Sequence, residues 1–126
     1  MRAIDTNVLV RLITRDDPAQ VAAAERFIVG GVWVSAIALV EAIWVVSTYY
    51  DFSNSGLAEA IEMVLHHPDV TVQDPETVAL ALDLFRSRPS LGFSDCMVLE
   101  AARKAGHLPL GTFDKKLARL DGVERL

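Results

Sequence analysis

The chain has 126 residues, of which 52% are hydrophobic and 23% charged, and its formal net charge is -5. This composition excludes a disordered chain, and the length predicts one domain over residues 1–126. The negative charge excludes a broad basic surface, so any nucleic acid would have to be bound locally. The single cysteine, Cys96, cannot form an internal disulfide and fits a cytoplasmic protein.

The pattern of apolar residues predicts short strands that alternate with helices. An apolar stretch at the N-terminus ends at Asp5, and a helix begins at the turn that follows it. Asp17-Pro18 predicts the start of a second helix, which ends before Gly30-Gly31. The later predicted strands are 32–34, 70–72, 108–113 and 123–126, and the later predicted helices are 36–50, 56–66, 75–87, 95–104 and 115–120. This alternation is typical of an α/β fold with a mainly parallel sheet and helices on both faces.

Residues 31–50 are largely apolar and about as long as a membrane-spanning helix. However, Glu41 lies near the centre of this stretch, where an acidic side chain is costly, and Ser35 is a residue that caps helices. We therefore predict a strand followed by a buried helix, with Ser35 as its N-cap, and no membrane association. Ser94 is predicted to cap the helix at 95–104 in the same way.

Four acidic residues occupy unusual positions in this predicted fold. Asp5 and Asp114 each follow an apolar strand directly, whereas Asp95 lies in the first turn of its helix. Glu41 comes less than two helical turns after the strand that ends near Ser35. Because the carboxyl ends of parallel strands meet at one edge of a sheet, the four side chains can converge there.

Each acid also has a purely structural interpretation. Asp5 can serve only as an N-cap, and Asp95 and Asp114 can be first-turn acids favoured by the helix dipole. Glu41 is harder to explain, because a carboxylate buried in an apolar helix needs a partner and no Lys or Arg lies within a turn of it. Clustered carboxylates repel one another, and Mg²⁺ or Mn²⁺ would compensate their charge.

Four segments of the chain also resemble those of a known family: A-I-D-T-N-V-L-V-R, S-A-I-A-L-V-E, G-F-S-D-C-M-V-L-E-A-A-R-K-A-G and T-F-D-K-K-L-A-R-L. They resemble PIN-domain nucleases, and most of all the VapC-type toxins of prokaryotic toxin–antitoxin pairs. The resemblance implies a three-layer PIN-like fold with a short, mainly parallel central sheet flanked by helices. It also implies a catalytic site for Mg²⁺ or Mn²⁺, whose ligands are Asp5, Glu41, Asp95 and Asp114.

The same resemblance implies a metal-dependent endoribonuclease, the toxin of a type II toxin–antitoxin pair, which cleaves structured RNA. Asn7 and Thr112 match polar positions of the family beside the acids. Arg11 and Lys115 are candidate phosphate contacts, as are Arg15, Arg86, Arg88 and Lys116. The implied partners are a second copy of the chain and a small antitoxin that supplies any DNA contact. The aromatic and Met residues at 44, 49, 50, 52 and 63 are candidates for those interfaces.

Three other functions have to be weighed. A receiver-type phosphoacceptor domain should carry adjacent acids after its first strand, but Thr6 follows Asp5. A phosphatase with an Asp-x-Asp nucleophile should have an acid where Asn7 stands. A non-catalytic or regulatory binding module on the same fold is left as the alternative, although all four acids are present. Cys96 as a nucleophile is disfavoured, because the adjacent Asp95 should raise its pKa.

Overall fold

The computed structural model describes all residues, 1–126, and contains six α-helices and five short strands. The chain divides into two compact units, Met1–Pro75 and Glu76–Leu126. The prediction of one domain over residues 1–126 stays a prediction. The elements in chain order are β1 Arg2–Ala3, α1 Thr6–Thr14, α2 Pro18–Ile28, β2 Val32–Val34, α3 Ala36–Tyr49, α4 Asn54–His66, β3 Val70–Val72, α5 Pro75–Ser87, α6 Phe93–Ala105, β4 Leu110–Thr112, a 3-10 helix Leu117–Arg119 and β5 Val123–Arg125.

The first unit contains a parallel sheet of three strands in the order β1-β2-β3. Alternate side chains of a strand point to opposite faces, and the sequences V-W-V and V-T-V follow this period. Val32, Val34, Val70 and Val72 are accordingly buried, whereas the residues between them are exposed. All the strand pairs are parallel, which confirms the predicted α/β class.

The helices of the first unit begin at residues whose side chains accept a hydrogen bond from the first turn. Asp17 and Ser35 cap α2 and α3 as predicted. Helix α4 begins at Asn54, two residues earlier than predicted, because the Ser53 hydroxyl caps it by accepting from the Gly56 N–H at 3.0 Å. Local hydrogen bonds of this kind therefore fix where each helix begins in this unit.

The second unit contains β4 and β5, which form a separate two-stranded parallel sheet. Within it the ring of Phe85 on α5 meets that of Phe93 on α6 edge to face, with centroids 6.2 Å apart. Phe93 is buried, and α6 begins there with Gly92 as its N-cap. The prediction of Ser94 as the cap is therefore wrong: Gly92 takes the N-cap position two residues earlier, without a side-chain hydrogen bond.

Helix α3 is not buried on all sides, contrary to prediction. Ala38, Leu39, Ala42, Ile43 and Val46 are buried, but Ile37 and Trp44 are 79% and 55% exposed. The exposed face is itself largely apolar, so the hydrophobic pattern could not distinguish it from the buried one. In the described chain, which has no gaps, no helix is both long and apolar enough to cross a membrane.

Candidate active site

Asp5 follows β1 and caps α1. Its Oδ1 accepts a hydrogen bond from the Val8 N–H at 3.0 Å, and its backbone is extended, as expected of an N-cap. The structural interpretation of Asp5 is therefore correct, but it accounts for only one carboxylate oxygen. The side chain is exposed, and its Oδ2 accepts no hydrogen bond. Asp5 can thus cap a helix and still offer an oxygen to a ligand.

Glu41 lies on the exposed face of α3, between Ile37 and Trp44 along the helix. The expectation that it is buried without a partner is wrong, because the buried face of α3 is formed by other residues. Its presence in an apolar sequence therefore gives no physical argument for a cation. The suggestion that Glu41 is a metal ligand now rests on the family resemblance and on its accessibility.

Asp95 lies in the first turn of α6, and Asp114 follows β4. Burial raises the pKa of Asp95, and the negative charge of Asp114 raises it further. The Asp95 side chain makes neither a hydrogen bond nor an ion pair that would offset this cost. Of the predicted acids, Asp95 is thus the one whose charge the surrounding protein opposes.

Asp114 is held by the turn that follows β4. Its Oδ1 accepts from the backbone N–H of Lys116 at 2.7 Å and of Leu117 at 3.2 Å. The Thr112 hydroxyl in turn accepts from the Asp114 N–H at 3.0 Å. The 3-10 helix that follows begins at Leu117 with Lys116 as its N-cap, and Asp114 Oδ2 accepts no hydrogen bond. Thr112, which the family resemblance singled out, contacts the backbone of this acid.

Arg11 belongs to a polar network that the sequence did not predict. Its Nε donates to Gln20 Oε1 at 2.5 Å, and its Nη1 donates to Asp16 Oδ1 at 3.1 Å and to the Tyr50 hydroxyl at 3.2 Å. The Tyr50 hydroxyl donates to Asp16 Oδ2 at 2.7 Å. Hydrogen bonds from Tyr50 and Thr14, and the charge of Arg11, lower the pKa of Asp16. No local pattern indicates this network, because Tyr50 is 34 residues from Asp16 and 39 from Arg11.

A pocket of about 410 Å³ opens beside Asp5, between α1 and α2. Its polar lining consists of Asp5, Asn7, Arg11 and Gln20. Its apolar lining consists of Val8, Ala23, Ala24 and Phe27. Two of the predicted substrate-binding residues, Asn7 and Arg11, therefore share a concave surface with one of the predicted metal ligands. Lys115 is exposed on the other unit.

The remaining titratable candidates have structural roles. Burial raises the pKa of the Cys96 thiol to about 11, with smaller contributions from the charges of Asp95 and Glu100, so at neutral pH it is not a nucleophilic thiolate. Glu100 itself is buried and pairs with Arg103 at 3.5 Å. Arg103 also donates to the backbone oxygen of Asp121 at 3.1 Å, so it links α6 to the segment before β5.

Neither unit brings together three or more His, Cys, Asp or Glu side chains placed to share a metal ion. Of the predicted ligands, Asp95 and Asp114 form a pair in which the charge of Asp114 contributes to raising the pKa of Asp95. Mg²⁺ keeps several waters and is commonly bound through one or two carboxylates together with substrate phosphate. The donor set of this pair, oxygen only and doubly negative, fits such an ion.

Comparison with known families adds an independent result. The family model for the PIN domain matches residues 3–123, nearly the whole chain. Searches of curated proteins and of solved structures find no match. PIN domains are generally nucleases, and the match covers both units and all four predicted acids. The chain therefore belongs to the PIN domain family.

Proposed function

We propose that this PIN domain is a Mg²⁺- or Mn²⁺-dependent endoribonuclease and the toxin of a type II toxin–antitoxin pair. The observation that carries the proposal is the match of the PIN domain model to residues 3–123, which include all four acids. Family membership accounts for nuclease chemistry, and the uncompensated Asp95 carboxylate supports a cation as the missing partner.

The proposed ligands are Asp95 and Asp114, and the family resemblance adds Asp5 and Glu41. A divalent cation there would polarise the phosphodiester and lower the pKa of a water molecule. The protein's own contribution is to hold the oxygens in place. Asp114 is oriented by the N–H groups of Lys116 and Leu117, and Asp5 by the N–H of Val8. Positive charge close to Asp95 would lower its raised pKa.

Substrate RNA is proposed to contact Asn7, Arg11, Thr112 and Lys115. Lys115 is an exposed point charge of the kind that binds phosphate without reading sequence. Arg11 differs, because Asp16 already compensates its charge and two neighbours hold its guanidinium. We therefore assign phosphate contact to Lys115 rather than to Arg11.

The proposed partners are a second copy of the chain and a small antitoxin. Three large side chains of α3 support an interface there: Ile37, Trp44 and Tyr49 are 79%, 55% and 72% exposed. The rings of Trp44 and Tyr49 pack edge to face, with centroids 6.0 Å apart, and present a preformed apolar surface. Light scattering should give a dimer at micromolar concentration, and Trp44→Glu should give a monomer.

The experiment that tests the proposal is cleavage of end-labelled RNA by purified protein. The protein is first stripped with a chelator, and Mg²⁺ or Mn²⁺ is then added back. We expect cleavage only after metal is added, and none by the Asp95→Asn variant. A folded wild-type protein that binds RNA with or without metal but never cleaves it would instead establish the alternative, a non-catalytic binding module.

A further inference from the structure

We propose that the pocket between α1 and α2 binds one unstacked nucleobase of the RNA, with a preference for guanine. The inference rests on the proposed ribonuclease function, which supplies RNA as the ligand. The pocket is the concave surface lined by Asp5, Arg11, Gln20 and Phe27, among others. Its volume of about 410 Å³ lies within the range of ligand-binding pockets.

The apolar wall of the pocket suits a flat aromatic group. Val8, Ala23 and Ala24 are short side chains that leave space between the two helices. The Arg2 guanidinium lies over one face of the Phe27 ring, 4.0 Å from its centroid, and also donates to the Phe27 backbone carbonyl at 2.7 Å. Recognition of single-stranded RNA uses such aromatic surfaces, on which an unstacked base can lie.

The polar side of the pocket offers hydrogen-bond donors at a fixed place. Arginine Nε can only donate, so Gln20 must turn its oxygen toward Arg11, and its Nε2 amide group remains a donor. Arg11 Nη2 also remains a donor, since the hydrogen bonds of the guanidinium to Gln20, Asp16 and Tyr50 use Nε and Nη1. Two neighbouring donors match the two neighbouring acceptors of guanine, O6 and N7.

The charge of the pocket favours a neutral ligand over an anion. Asp16 lies 3.1 Å from Arg11 and compensates its positive charge, and Asp5 adds a negative one. A phosphate group or an acidic side chain of a protein partner would gain little here. A base gains hydrogen bonds and burial without needing a countercharge.

The pocket lies beside one of the proposed metal ligands. Asp5 lines the pocket and is also a proposed ligand of the metal. A nucleotide whose base occupies the pocket keeps its own phosphate within reach of Asp5. Recognition of the base would therefore select which phosphodiester bond is cleaved.

The test is an NMR titration of the whole protein, without metal, with guanosine 5′-monophosphate, its 7-deaza analogue and cytidine 5′-monophosphate. The decisive variant is Ala23→Phe, which fills the pocket from an exposed position on α2. Its matched control is Ala22→Phe, because Ala22 is exposed on the same helix and does not line the pocket. Both substitutions avoid buried positions, so both variants should fold.

We expect the guanosine nucleotide to shift the amide signals of Ala24 and Phe27. Its affinity should fall about tenfold or more in Ala23→Phe and stay unchanged in Ala22→Phe. The 7-deaza analogue lacks one of the two acceptors and should bind about tenfold more weakly, as should the cytidine nucleotide. Equal affinities for the three nucleotides, or equal effects of the two variants, would overturn the proposal.

The outcome is separable from that of the proposed function. If the protein binds nucleotides selectively but never cleaves RNA, the pocket proposal is supported and the proposed ribonuclease function is refuted. The opposite result is metal-dependent cleavage whose rate and site are the same in Ala23→Phe as in the wild type, without selective nucleotide binding. That result would support the nuclease and refute the pocket proposal. If Ala23→Phe weakens binding of a protein partner but not of nucleotides, the pocket belongs to that partner. This result would also overturn the proposal.

Discussion

Asp5 and Asp95 are both predicted metal ligands, but the surroundings of their two carboxylates differ. Asp5 is exposed and accepts a hydrogen bond from the first turn of α1. Asp95 is partly buried, makes no hydrogen bond, and has a raised pKa because of burial and the charge of Asp114. The first acid contributes to folding whatever else it does, whereas the second imposes a cost on the folded protein.

This difference shows where to look for function. A residue that stabilises the fold can be present for that reason alone, so the position of Asp5 does not by itself establish a catalytic role. Asp95 also lies in the first turn of α6, where the helix dipole favours an acid. Burial and the charge of Asp114 nevertheless raise its pKa, and perturbed groups of this kind concentrate at functional sites. Asp95 therefore gives the stronger physical argument, although the segment around Asp5 carries the more recognisable sequence.

The largest expected effect is that of Asp95→Asn. Loss of a metal-binding carboxylate should lower the rate of RNA cleavage by at least about 10²-fold. The metal-free variant should nevertheless be no less stable than the wild type at neutral pH, because the amide cannot ionise. Activity assays and thermal melts check both parts, with Asp83→Asn, at an exposed position of α5, as the control.

The pH dependence of stability follows from the same shift. The pKa of Asp95 in the folded protein is raised above its ordinary value of 3.8. At pH values below 3.8 the neutral carboxyl group therefore contributes its full stabilisation to the folded state. This contribution is lost as the pH rises through the raised pKa. Melts of metal-free protein should therefore show the wild type losing stability relative to Asp95→Asn as the pH increases from about 4. A constant difference across that range would contradict the assignment.

Two substitutions at Asp5 separate its structural role from its chemical one. Asn is as good an N-cap as Asp, so Asp5→Asn should keep the stability of the fold and lose cleavage activity. Asp5→Ala removes the cap as well and should cost about 1 kcal/mol of unfolding free energy in addition. Equal activity of the wild type and a folded Asp5→Asn variant would reduce Asp5 to a cap.

Glu41→Gln should affect activity alone, by about tenfold if Glu41 lies at the edge of the metal site. Since the side chain is exposed on α3, replacement by a neutral amide should change the unfolding free energy by less than about 0.5 kcal/mol. Denaturant unfolding of the metal-free protein measures this. A marked gain in stability would mean that Glu41 carries a cost that its exposure does not indicate.

The smallest effect is expected at the Arg11 network. Tyr50→Phe removes the main hydrogen bond that lowers the pKa of Asp16, so this pKa should rise toward its ordinary value. A lowered pKa of Asp16 in the folded state stabilises the protein at pH values above the ordinary pKa of the group, and this stabilisation is lost on acidification. The variant lacks most of it and should therefore lose less stability than the wild type below about pH 4. Carboxyl carbon NMR measures the shift, and Tyr49→Phe, at an exposed neighbour, should leave it unchanged.

The parts of the fold that follow from local chemistry could be predicted from the sequence. The caps Asp17 and Ser35 and the parallel strand pairs agree with prediction, because hydrogen bonds of neighbouring residues and a simple alternation determine them. The raised pKa of Cys96 was likewise expected from the adjacent Asp95, although burial is its larger cause.

What could not be predicted depends on contacts between distant residues or on which face of a helix is covered. The exposure of Glu41 is one case, since both faces of α3 are apolar. The Arg11–Asp16–Tyr50 network is another, because its members come from separate segments of the chain. The start of α6 also differs from prediction, because Gly92 rather than Ser94 takes the N-cap position.

The most direct test of the account is a calorimetric titration of chelator-stripped protein with Mn²⁺, comparing the wild type with Asp95→Asn. The account predicts saturable binding by the wild type, with release of protons below neutral pH as Asp95 ionises, and loss of that binding in the variant. Equal binding by the two proteins, or no binding by a folded wild type in the presence of RNA, would contradict it.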